Sequence, residues 1–194
     1  ANLIFGYLEG YRHTGDKKWL AAARAVVGPT CDLTTKPWLK DPAAYGRTHE
    51  EEFFRAFMYA QVGWTLGRYL DLCAEYGRKD DLGAAAALGA YADFLLERMM
   101  APCGNGRATT LNQYRFGRGA EGTYKEINNW TLVMADMLAY AAKYAGKGKY
   151  LDAAAKFYRT GTTDMVWKDD PPVYIGAKDL VNSLNWGLVF MSSQ

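Results

Sequence analysis

Three copies of one pattern, widely spaced, restrict what this chain can fold into more than any other feature. Thr14-Gly15-Asp16 precedes Trp19-Leu20 and the alanines Ala21 to Ala23. Tyr76-Gly77-Arg78 precedes Leu82 and the alanines from Ala84, and Ala145-Gly146 precedes Tyr150-Leu151 and Ala153 to Ala155. Aligning Gly15, Gly77 and Gly146, which lie 62 and 69 residues apart, brings Leu20, Leu82 and Leu151 into register. A repeat of that length with one short polar turn per copy is a long helical hairpin used repeatedly. The return connections are much longer, so all of them fall on the opposite face, where function is expected.

Bulk properties narrow the classes. At 49% hydrophobic and 23% charged residues, the 194-residue chain has an ordinary soluble composition, and a net charge of +2 gives no general attraction to nucleic acid or an anionic membrane. No apolar run approaches the roughly 20 residues that span a bilayer. The cysteines Cys31, Cys73 and Cys103 lack metal-like spacing, and His13 and His49 are too few for a multi-histidine site.

Helical periodicity predicts a first helix from about Asn2 to His13, stopped by Gly15, and a second, N-capped by Asp16, that ends near Gly28-Pro29. A long third helix is predicted from about Glu50 to Tyr76, a fourth from Asp80 to Met100, a fifth from Ile127 to Tyr144, a sixth from Lys149 to Arg159, and a seventh from Lys178. The odd-numbered helices carry Trp, Tyr and Met while the second, fourth and sixth carry alanine runs, which predicts two layers. The chain begins and ends in mid-pattern, so it reads as a piece of something longer.

The candidate chemistry lies in the long connections 28–48, 101–126 and 161–177. The first holds Trp38, Tyr45 and Arg47 and leads to His49. Thr48 and Glu51 have capping-box spacing, which places His49 in the first turn of the third helix. There it is either a general acid or base or a packed helix-end residue. Glu50, Glu51 and Glu52 suit the helix dipole. The second connection sets Arg107, Arg115, Arg118 and Lys125 against Glu121 and Glu126, with Tyr114, Phe116 and Tyr124 between them. Arginine pairs with carboxylates and tyrosine offers a flat face with a hydroxyl, a combination suited to an acidic sugar; the other reading is a solvated basic loop over buried tyrosines. Asn128 and Asn129 beside Trp130 are donors or helix caps, and Trp167 and Tyr174 in the third connection are candidate stacking platforms for sugar rings.

Hairpins with Thr-Gly-Asp-like turns and Asn-Trp on the inner helices resemble the (α/α) toroids of carbohydrate-active enzymes, the six-hairpin glycosidases and toroid polysaccharide lyases. Gly46-Arg47-Thr48-His49-Glu50 and the run from Trp64 to Tyr69 are most similar to the C-terminal toroid of exo-acting rhamnogalacturonan lyase-like proteins. The resemblance implies an all-α domain over residues 1–194, about three and a half hairpins, forming the C-terminal half or a fragment of a larger (α/α)6 toroid. An open edge of such a fragment would favour self-association.

The activity implied is β-elimination beside a uronate in an acidic polysaccharide. Neutralising the carboxylate acidifies the C5 proton, a base removes it, and an acid protonates the leaving oxygen. By residue type, Asn128, Asn129 or Arg115 would neutralise, and His49, Tyr114 or Tyr124 would transfer protons. Arg47, Trp38, Tyr45, Arg118, Trp130, Trp167 and Tyr174 complete the expected binding set. No cofactor is read from the chain, with a calcium requirement left open, and neither nucleic acid nor membrane is an expected partner. Glycoside hydrolysis, through a pair drawn from Glu50, Glu121, Glu126 and Asp164, is the first alternative; a helical-repeat binding scaffold is the second. A polysaccharide substrate implies secretion or the periplasm, against which an unpaired cysteine argues mildly.

Overall fold

The computed structural model describes residues 2–104, 106–123, 130–146, 148–163 and 187–193. Three helical hairpins dominate: α1 (Asn2–Thr14) with α2 (Lys17–Cys31), α4 (Ala56–Glu75) with α5 (Ala84–Phe94), and α6 (Thr131–Ala145) with α7 (Gly148–Thr163). The short turns form for the reasons the sequence suggests. Gly15, Gly77 and Gly146 take positive φ of 66°, 60° and 71°. Gly15 N–H returns to Tyr11 O at 2.8 Å, and the Asp16 carboxylate accepts from Lys18 N–H at 2.9 Å. Asp80 does the same for α5, accepting from Ala84 and Ala85 N–H at 2.9 and 2.8 Å.

Helix α1 packs on α4, α4 on α6, and α6 on a short helix α8 (Leu188–Ser192), while α2 and α5 pack together behind them. Every residue of α6 from Thr131 to Ala141 is buried. Two glycines of α4 let it approach: a Cβ on Gly63 would lie 2.6 Å from Met137 Cγ, and one on Gly67 would collide with the ring of Tyr140. Each large side chain buried this way contributes about 1.5–3 kcal/mol.

The chain is not all-α. The expected second loop is largely strand: β2 (Met100–Pro102), β3 (Ala108–Arg115) and β4 (Gly119–Thr123). The central strand β3 also pairs antiparallel with β1 (Phe53–Arg55), through Phe53↔Arg115 and Arg55↔Gln113. Physically, 113–116 alternates half-buried Gln113 and Arg115 with buried Tyr114 and Phe116, a period of two that helical pairing cannot satisfy. The same pairing removes Glu50 to Arg55 from the expected third helix, which starts only at Ala56. No capping box forms: Thr48 Oγ1 donates to Tyr45 O at 3.2 Å.

Other expectations shift at their ends. Helix α2 continues through Pro29 to Cys31, with Asp32 N–H closing on Gly28 O at 3.1 Å. Helix α5 passes into a wider turn at Leu95–Met99 before β2. The first long connection is ordered by 3-10 turns at Leu33–Thr35 and Pro37–Leu39 and by α3 (Pro42–Gly46), whose N-cap Asp41 accepts from Ala44 N–H at 2.8 Å. All three cysteines are free, and no described helix is long and apolar enough to cross a membrane. The described residues hold three hairpins and α8, not a six-hairpin ring.

Candidate functional site

The β3–β4 hairpin docks on the segment running from α3 to β1, and the approach depends on two missing side chains. A Cβ on Gly46 would collide with Phe116 O, and one on Gly117 would lie 2.5 Å from Glu50 Cβ. This contact closes one side of a recess of about 500 Å³ lined by Lys40, Asp41, Arg47, Glu50, Arg98, Tyr114 and Arg118 among others. That volume falls within the roughly 300–1,000 Å³ of small-ligand sites.

Four cations reach the recess from three separate segments: Lys40 and Arg47 around α3, Arg98 from the turn after α5, and Arg118 from the β3–β4 turn. Lys40, Arg47, Arg98 and Arg118 are all exposed, and none forms an ion pair among the described residues. Of the two carboxylates, Asp41 is committed to the α3 N-cap. Tyr114 forms part of the lining, itself only 6% exposed. Burial pushes its phenol above the usual range, with the Arg98 charge pulling it partly back, so it holds its proton at neutral pH.

Behind this wall stand residues that the sequence placed in the site. Trp38 is a packing hub, with ring centroids 5.3 Å from Phe94, 5.5 Å from Phe54 and 5.6 Å from Phe116. Tyr45 stacks on His49 at 3.9 Å and 7°, and its hydroxyl donates to Glu52 Oε2 at 3.0 Å. His49 Nδ1 lies 3.0 Å from Tyr45 O; a carbonyl only accepts, so Nδ1 carries the proton and neutral His49 keeps its lone pair on Nε2. Thr48 Oγ1, donating to the same carbonyl, is 2.8 Å from Nδ1. His49 does not line the recess but is flanked by Arg47 and Glu50, which do.

Arg115 is already occupied. Its Nη1 donates to Glu51 Oε2 at 2.8 Å, and its Nε makes a 3.5 Å ion pair with Glu121, too loosely aligned for a hydrogen bond. The guanidinium also covers the Phe53 ring at 5.4 Å. Trp130 packs on Phe57 of α4, centroids 4.2 Å apart, and is not in the recess lining. Tyr124, Asn128, Asn129, Trp167 and Tyr174 lie outside the described residues.

Of the expected set, the recess therefore gathers Arg47, Arg118 and Tyr114. Sequence reasoning missed Lys40 and Arg98. Lys40 follows Trp38 in a connection already suspected, whereas Arg98 reads as a basic residue in the last turn of a helix. No group of three His, Cys, Asp or Glu side chains converges among the described residues. No family model, curated protein or solved structure matches this chain.

Proposed function

We propose that this chain belongs to a carbohydrate-active enzyme that cleaves an acidic polysaccharide by β-elimination beside a uronate. The observation that carries the reading is a recess of four cations that form no ion pair among the described residues, with Tyr114 in its lining. Arg47, Arg98 and Arg118 offer charge-assisted hydrogen bonds to a carboxylate, the interaction that acidifies the C5 proton. Tyr114, a phenol that carries its proton at neutral pH, lines the recess and suits the acid that protonates the leaving oxygen, with the Arg98 charge favouring release of that proton. Tyr114 is the one expected proton-transfer residue that lines the recess among the described residues, whereas His49 lies outside that lining. Hydrolysis is less favoured because it needs two carboxylates about 5–9.5 Å apart, and the recess offers only Glu50 free of a structural hydrogen bond. An acidic polysaccharide as substrate implies a secreted or periplasmic protein.

The test is incubation with uronate polymers while following the ultraviolet absorbance of a new C4–C5 double bond. Tyr114→Phe is expected to lower turnover at least about 100-fold while leaving binding within a few-fold. Reducing ends released without absorbance would replace elimination with hydrolysis.

A further inference from the structure

The charge in the recess exceeds what one uronate requires. Lys40, Arg47, Arg98 and Arg118 stand against Asp41 and Glu50, a formal surplus of two positive charges. A single carboxylate would leave half of that surplus uncompensated in a concavity, where like charges repel more strongly than on open surface. The cations are not the solvated face of one helix, because three segments distant in sequence deliver them. The Gly46–Phe116 and Gly117–Glu50 approaches hold two of those segments together, and neither tolerates a Cβ without movement. The volume is that of a site for a drug-sized ligand, the size class of a disaccharide.

We infer that the recess takes two adjacent uronates at once, so that its ligand is a contiguous polyuronate and not a polymer in which uronates alternate with neutral sugars. This rests on the acidic-polysaccharide reading above and departs from the rhamnogalacturonan preference that the sequence resemblance implies. Two neighbouring carboxylates match the surplus charge, and Arg98 and Arg118, delivered to the recess by different segments, each offer a fork for one of them. In an alternating polymer the second carboxylate sits one residue further along, with a neutral ring between the cations.

Isothermal titration with three short oligosaccharides tests the inference: a trimer of galacturonate, an alternating rhamnose–galacturonate oligomer with the same number of carboxylates, and the methyl-esterified trimer. The contiguous trimer is expected to bind at least about ten-fold more tightly than the alternating oligomer, the scale of one charge-assisted hydrogen bond. Its affinity should fall as ionic strength rises. Arg98→Ala and Arg118→Ala are each expected to weaken trimer binding about ten-fold, with less effect on the alternating oligomer. Both side chains are exposed, and unchanged circular dichroism would confirm that the variants fold. Equal or tighter binding of the alternating oligomer would overturn the inference and leave the acidic-polysaccharide reading standing. Equal binding of the methyl ester, or no binding of any acidic oligomer, would overturn both.

Discussion

Replacing Gly67 by alanine tests the packing that holds α4 against α6. In a helix interior this change alone stabilises by about 0.8–1 kcal/mol, because glycine has more conformational freedom to lose. Here the added methyl meets the Tyr140 ring, and Tyr140 is fully buried. The ring cannot swing aside freely, since its hydroxyl donates to Asp71 Oδ2 at 2.8 Å. Burial works against ionisation of Asp71, but hydrogen bonds from Lys143, Tyr144 and Tyr140 outweigh it and hold the carboxylate below its usual range. Overpacking costs roughly 1–3 kcal/mol and a lost hydrogen bond to a charged group about 1.5–3. Set against the propensity gain, a net loss of about 3 kcal/mol is expected. Gly6 in α1, where an added Cβ would meet nothing within 4 Å, is the control: Gly6→Ala should stabilise by up to about 1 kcal/mol. Urea denaturation followed by tryptophan fluorescence measures both. Repeating Gly67→Ala in a Tyr140→Phe background isolates the hydrogen-bond share, and the penalty should shrink there by about 2 kcal/mol. A Gly67→Ala protein as stable as the parent would refute the reasoning.

Asp136 is fully buried in α6, accepts from Phe190 N–H of α8 at 3.1 Å, and has its carboxyl pushed up to about 6 by burial, with hydrogen bonds from Phe190, Gly187 and Val189 opposing. The folded state therefore binds this proton more tightly than the unfolded state, whose carboxyl titrates near 3.8. Its contribution is fully present below about pH 4 and is lost as pH rises through 6, by an amount on the order of 3 kcal/mol. Asp136→Asn should flatten the stability profile between those values, as read by denaturation at a series of pH; an unchanged slope would count against this assignment. Gly46→Ala should destabilise by about 1–3 kcal/mol and weaken oligosaccharide binding with it, because its methyl pushes on the backbone of Phe116 instead of on a mobile side chain. Loss of stability without loss of binding would separate the recess from that contact.

The helical frame was readable because its signals are local. Gly15 and Asp16 cap within a few residues of themselves, and the alanine runs advertise close packing. The strands were not, since their reason lies far away: Phe53 to Arg55 gain a ladder only from β3, about sixty residues on. Phe53 and Phe54 fit a helix start as well as a strand until that partner exists. The site divides the same way. Arg47, Arg118 and Tyr114 stand out as charged or aromatic residues in long connections. Arg115 looks equivalent to Arg118, but its partner Glu51 is 64 residues distant. Trp38 looks like a stacking platform because sequence does not reveal that Phe54, Phe94 and Phe116 converge on it.

The burial of α6 bears on the order in which a chain emerging from the ribosome can acquire structure. Helices α4 and α5 turn broad faces toward a helix that begins only at Thr131. Until that segment is synthesised, the grooves over Gly63 and Gly67 have nothing to fill them, and the second hairpin leaves uncovered the faces of α4 and α5 that α6 later occupies. The nascent chain thus carries an open apolar face until Thr131 and the residues after it are made, and one late helix closes it.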